Sequence, residues 1–365
     1  MTPTRPLRPA DVLGVPLLPP PAATVATNRI RDRARRLLRA MDPPPVRILE
    51  DLFGLLGHRV LVALCEAGVP EALDRPQRVA ELAGRTGSDP ERLERLLRWA
   101  ATVGWVRIDR RGRVRPTRAT AFLRHDHPGG WRAWVDFAGG PEVVAAVQAL
   151  TATGDADPFE AANGRPFFEW MAEHPDRWAT FDAAMAAGAR MHALTMAAAL
   201  DWEPDERICD VGGGTGVLLA GLLDLVPGTT GAVLDLPGVV ARAVAHPRLE
   251  AVGGDMFAAV PAGFDTYLLV NVIHDWGDAD ATRILERCAA AAGAAGRVVA
   301  VDSERPAKPE AGLATGADVL MAALTPGGQE RDADGFRALG ERAGLRLERS
   351  VRLASGDLAH VLRRR

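Results

Sequence analysis

A chain of 365 residues is longer than one compact core holds, and two domains are the natural division. Hydrophobic residues at 47% and charged residues at 25% describe an ordinary globule, and a net charge of -3 gives no global attraction for nucleic acid or acidic lipid. Cys65, Cys209 and Cys288 stand apart without a C-x-x-C pair, so neither a disulfide framework nor a metal site is expected, and a cytoplasmic location fits.

Residues 1–27 carry Pro3, Pro6, Pro9, Pro16 and the run Pro19 to Pro21, which remove donors and block helix, so an extended leader is expected. It holds no apolar run long enough for a signal or membrane helix. N-R-I-R-D-R-A-R-R-L-L-R-A-M, residues 28–41, has helical spacing with a dense basic face. Residues 1–45 therefore read as a flexible leader and basic arm, packed on its own domain or on a partner subunit, with membrane or nucleic-acid docking as the alternative.

A second unit over 46–125 opens with helical patterns at 46–68 and continues as helix, turn, helix over 76–108. Ser88 and Glu91 form a capping-box pattern, with Pro90 suited to the first turn. W-V-R-I-D-R-R-G-R-V-R-P-T follows as a hairpin turning near Arg111 and Gly112, which completes a winged-helix pattern. Arg92, Arg95, Arg98, Arg110, Arg111 and Arg113 could meet DNA, but Glu91 and Glu94 interrupt them. Residues 126–200 read as a helical linker forming one wall of a substrate pocket.

Over 201–365, short β-rich runs alternate with helical ones, the mark of a doubly wound α/β sheet. Strands are expected at 207–211, 231–235, 249–252, 265–270, 297–301, 345–352 and 358–363. Ligands in such sheets sit at the carboxyl ends of the strands, near the switch in strand order. R-I-C-D-V-G-G-G-T-G, from Arg207 to Gly216, places glycines at alternate positions after a strand that ends in an acid, so the backbone can pass close to a nucleotide-like ligand. A dinucleotide fingerprint would need a glycine where Val217 stands, which weakens a nicotinamide reading.

The spacing D-x-G-x-G-x-G from Asp210 to Gly216 resembles the first motif of class I S-adenosylmethionine-dependent methyltransferases, and further matches follow in order. G-A-V-L ends in Asp235 of L-D-L-P, and G-G-D-M-F carries Asp255 and Met256. Y-L-L-V-N-V-I-H-D-W carries Asn271, His274 and Trp276; V-V-A-V-D-S-E-R carries Asp302, and P-G-G-Q-E-R carries Glu330. Over residues 46–365 the chain resembles the O-methyltransferases of plant phenylpropanoid and bacterial aromatic-polyketide pathways.

That resemblance implies a seven-stranded Rossmann-like sheet with a mainly α, winged-helix dimerisation domain before it. It implies a homodimer that turns S-adenosylmethionine into S-adenosylhomocysteine while methylating a small aromatic, with no nucleic-acid or membrane partner. The cofactor would meet Asp210, Gly212, Gly213, Gly214, Gly216, Asp235, Leu236, Asp255, Met256, Asn271 and Trp276. Asp235 would accept the ribose hydroxyls. Phe168, Met185, His192, Met321 and Thr325 would line the substrate pocket.

His274 is the implied general base, held between Asp302 and Glu330. A phenol of pKa about 10 keeps its proton against an imidazole of about 6.5 by roughly 3.5 units, about 5 kcal/mol, so the site must close that gap. Asp302 is one methylene shorter than the family's usual glutamate, which bears on direct contact with His274. Val270 stands where plant members carry a lysine, and Thr325 replaces an asparagine that faces the substrate. Relatives that keep this fold but catalyse hydroxylation, decarboxylation or pericyclic rearrangement leave a second reading open, as do C- and N-methylation. A DNA-binding regulator is a third.

Overall fold

A computed structural model describes residues 7–151, 157–309 and 312–365. In the first half, helices Pro44–Glu66, Val79–Thr86 and Pro90–Thr102 close over a small core of Leu64, Leu82, Leu93 and Leu97. Three short strands, β1 (Gln77–Arg78), β2 (Val106–Ile108) and β3 (Arg113–Pro116), pair antiparallel in the order β1-β3-β2 and form the wing. Asp109 fixes the hairpin: one oxygen accepts the backbone N–H groups of Arg111 and Arg113, and the other accepts the Arg113 and Arg115 side chains. Two wing arginines are thus tied to one carboxylate on the hairpin.

Five further helices, from Arg132–Ala138 to Pro175–Ala199, lead into the second half among the described residues. There β4 (Arg207–Val211), β5 (Thr230–Asp235), β6 (Leu249–Gly253), β7 (Thr266–Val270), β8 (Arg297–Asp302), β9 (Leu345–Arg352) and β10 (Leu358–Arg364) form one sheet in the order β6-β5-β4-β7-β8-β10-β9. The first five are parallel, while β10 runs antiparallel to both β8 and β9. Helices cover both faces, so the middles of the central strands are apolar: β8 is buried at every residue, with its charges only at the two ends, and β7 is buried at all but its last. The order reverses at β4, which puts the carboxyl ends of β4 and β7 on either side of the switch point.

The end opposite the switch point is tied by a buried polar cluster. Arg297 donates to Thr266 Oγ1 at 2.7 Å and to Glu206 Oε1 at 2.9 Å, and Thr266 also donates to that glutamate. The guanidinium lies 5.3 Å from the centre of the Trp202 ring. All three cysteines are buried.

Two expectations are corrected. The extended leader over 1–27 is instead helical at Pro9–Val12 and again from Pro21, where the Pro21–Met41 helix begins; residues 1–6 lie outside the described residues. A proline in the first turn costs nothing, because its missing N–H would have no helical partner there. The helix over 90–102 is capped by Asp89, which accepts Arg92 N–H, while Ser88 shares a hydrogen bond with Thr86.

Candidate active site

One cavity of about 1000 Å³ runs along the carboxyl ends of the parallel strands. The β4–helix turn forms its floor. Gly212, Gly214 and Gly216 have φ of +69°, +60° and +74°, a region that side chains rarely adopt. A Cβ on Gly213 would stand 2.5 Å from the Asp210 carboxyl, and one on Gly214 would meet nothing within 4 Å. The loop is therefore packed against the acid on one side and open on the other. Gly216 does not line the cavity; it starts the Val217–Leu225 helix.

Asp210 is enclosed, with Oδ2 lacking a hydrogen-bond partner among the described residues, and burial followed by the neighbouring Asp235 charge pushes its carboxyl up to about 7. Asp235 Oδ2 accepts Gly214 N–H at 2.8 Å and Oδ1 accepts Leu236 N–H at 2.7 Å. Each of those oxygens keeps a lone pair for a ligand hydroxyl. Leu236, Asp255, Met256 and Asn271 complete this end, and Asn271 takes φ of +54° at the end of β7. An enclosed, partnerless acid, a second carboxylate with spare lone pairs and an open glycine turn fit the amino group, ribose and chain of S-adenosylmethionine.

His274 sits in a short 3-10 turn, Ile273–Asp275, just beyond β7. Its Nδ1 lies 2.9 Å from Glu330 Oε1 and 3.9 Å from Asp302 Oδ1; its Nε2 lies 3.7 Å from Asp275 Oδ1. Only the Glu330 contact is a hydrogen bond, and it leaves Nε2 as the free nitrogen. Asp302 is enclosed behind the ring and both its oxygens lack hydrogen-bond partners among the described residues; at 3.9 Å its shorter arm stops short of direct contact. Burial works against a charge on His274, but Asp302, Glu330 and Asp275 together outweigh it and raise the imidazole above its ordinary value. Burial in turn raises the carboxyls of Asp302 and, to about 6, Asp275.

Arg331, 5% exposed, clasps this turn to the loop that carries Glu330. It donates to Ile273 O at 3.1 Å and Trp276 O at 2.8 Å, while Gln329 N–H reaches His274 O at 2.8 Å. Sequence reasoning missed this clasp, although the arginine sits next to Glu330 in P-G-G-Q-E-R.

Phe168, Met185, His192, Met321 and Thr325 all line the cavity. Trp276 stacks on Phe168 with ring centres 5.5 Å apart and meets Phe257 edge-on at 4.8 Å, so it stands between the nucleotide end and the aromatic end. Trp131, Trp134, Phe167, Trp178 and Phe181 extend the aromatic wall, and Val25, Asn28, Arg29 and Asp32 of the N-terminal helix close over it. A signal was available: aromatics make up only 5% of the chain, yet many fall between 131 and 181.

Comparison with known proteins agrees with this fold. A family model for the O-methyltransferase domain matches residues 143–346, and one for the O-methyltransferase dimerisation domain matches 49–124. The mitomycin biosynthesis 6-O-methyltransferase of Streptomyces lavendulae is 35% identical over 340 residues, spanning 86% of this chain and 93% of the relative. The 8-amino-8-demethylriboflavin N,N-dimethyltransferase of Streptomyces davaonensis is 35% identical over 277 residues, 72% of this chain and 80% of its own. Among solved structures, a methyltransferase of calicheamicin biosynthesis bound to S-adenosylhomocysteine superposes with a TM-score of 0.78 at 31% identity, covering 88% of this chain and 98% of that one. The chain belongs to the O-methyltransferase family and is an S-adenosylmethionine-dependent methyltransferase.

Proposed function

We propose that this enzyme methylates a hydroxyl of an aromatic or polyketide-derived small molecule of secondary metabolism, works as a homodimer, and uses His274 as general base. The observation that carries the reading is the His274–Glu330 pair at 2.9 Å, on the same cavity as the glycine turn and the aromatic wall. S-adenosylmethionine, when bound, supplies an electrophilic methyl on a sulfonium. Asp210, Asp235 and the backbone of Gly212 to Gly214 would hold it, beside Met256 and Asn271.

The chain's own part is positioning and proton transfer. Glu330 takes the Nδ1 proton side of the ring and fixes the tautomer, so Nε2 is the atom that receives the hydroxyl proton. The surrounding carboxylates raise the imidazole's basicity toward that of a phenol, which shrinks the mismatch of roughly 3.5 units set by ordinary values. Phe168, Trp276 and Met321 exclude water and offer flat apolar contact for an aromatic ring.

The test is mass spectrometry after incubation with deuteromethyl S-adenosylmethionine and a panel of phenols, polyphenols and aromatic amines. A labelled ether whose yield falls about 100-fold or more in His274→Ala is the expected outcome. An ether formed equally well by the variant would remove the base assignment, and a label on nitrogen or carbon would replace the hydroxyl acceptor.

A further inference from the structure

The long helix Pro175–Ala199 brings a second histidine to the same cavity. His192 is 5% exposed, and its Nε2 lies 3.1 Å from Asp357 Oδ2. The other oxygen of Asp357 accepts Ser303 Oγ at 3.0 Å. In the neutral ring, the hydrogen bond to the Asp357 carboxylate puts the hydrogen on Nε2 and makes Nδ1 an acceptor. Among the described residues, Nδ1 is then left buried and without a hydrogen-bond partner.

Such orphaned atoms are rare in folded proteins, and each calls for a ligand, a water or a function. The fold explains how this one arises beside the reaction centre. Asp302 and Ser303 are successive residues at the carboxyl end of β8, and successive side chains of an extended chain point to opposite sides. Asp302 lies behind His274, whereas Ser303 reaches Asp357 just before β10. One strand end therefore supports two histidine–carboxylate pairs, one on each side of it, and both histidines line one cavity.

We propose that His192 Nδ1 is a second recognition point, accepting a hydrogen bond from a hydroxyl or amino group of the acceptor other than the group that is methylated. This rests on the reading of the cavity as an aromatic-acceptor site. The preferred acceptors are then aromatics with two donor groups, one directed to each histidine, and His192 is a positioning residue.

Calorimetric titration of the full-length enzyme loaded with S-adenosylhomocysteine tests this without requiring turnover. The probes are 1-naphthol and 2-naphthol against a set of dihydroxynaphthalene isomers. The intact enzyme should bind its best dihydroxy isomer about tenfold tighter than the matching naphthol. In His192→Gln the side-chain amide still reaches Asp357 but offers nothing at the Nδ1 position, and the ratio should fall to within about twofold. His192→Asn, which places an amide near the Nδ1 position, should restore part of the preference. A ratio unchanged in His192→Gln, or no preferred isomer in the intact enzyme, overturns the proposal and makes His192 a tie between helix and hairpin. Failure of every naphthol to bind overturns the aromatic-acceptor reading, and this proposal with it.

Discussion

A histidine can take a proton only while its own nitrogen is empty, and the carboxylates around His274 favour the filled state. The imidazole's raised pKa means that the neutral form grows as pH rises, so the ascending limb of the rate should lie above the ordinary imidazole value of about 6.5. Glu330→Gln keeps an oxygen for Nδ1–H but removes one of the charges that raise the ring. The limb should move to lower pH in this variant while the maximal rate falls, as a pH profile of kcat would record. A limb that stays in place would mean that another group sets it. At this scale the motifs singled out His274, Glu330, Asp210 and Asp235, and the fold brings all four to the wall of one cavity. Arg331 and Asp357 escaped, since their roles depend on which backbone carbonyl or which ring nitrogen lies beside them after folding. Gly216 belongs to the same turn but serves the helix start rather than the cavity wall.

Strands and helices set the distance between those side chains, and the sheet is anchored at the end away from the chemistry. Arg297 and Glu206, both buried, share hydrogen bonds with Thr266 at the start of β7. Removing one partner leaves a buried charge alone, so Arg297→Ala should lower stability by about 3–5 kcal/mol. Urea unfolding followed by tryptophan fluorescence checks this, and a loss below about 1 kcal/mol would mean that water reaches the cluster. The central strands of the large sheet were legible because strands buried on both faces read as nearly continuous apolar runs, whereas the largely exposed edge strands β6 and β9 mix charged residues into theirs. The N-terminal segment was not, because prolines that forbid a helix interior are welcome in its first turn, and sequence alone does not say which position each proline holds. The shift of the cap from Ser88 to Asp89 is of the same kind, both residues being good caps one position apart.

At the level of the whole molecule, the Pro44–Glu66 helix leaves Ile48, Leu49, Leu52, Leu55 and Leu56 each at least half exposed along one face. That spacing is an apolar stripe left open among the described residues. It begins where the dimerisation-domain match begins, and a second copy of the chain is the occupant expected under the homodimer reading. Leu55→Glu should convert the dimer to monomer in light scattering after size exclusion, whereas a dimer that survives would place the interface elsewhere. The three buried cysteines have a practical consequence for following such assembly. Burial pushes the thiols of Cys65 and Cys209 up to about 11 and about 12, and that of Cys288 higher still. The reactive species is the thiolate, so maleimides should label the native fold poorly. A single cysteine added on the surface, at the mouth of the cavity or beside the stripe, could carry a fluorophore with no need to strip out the natural ones.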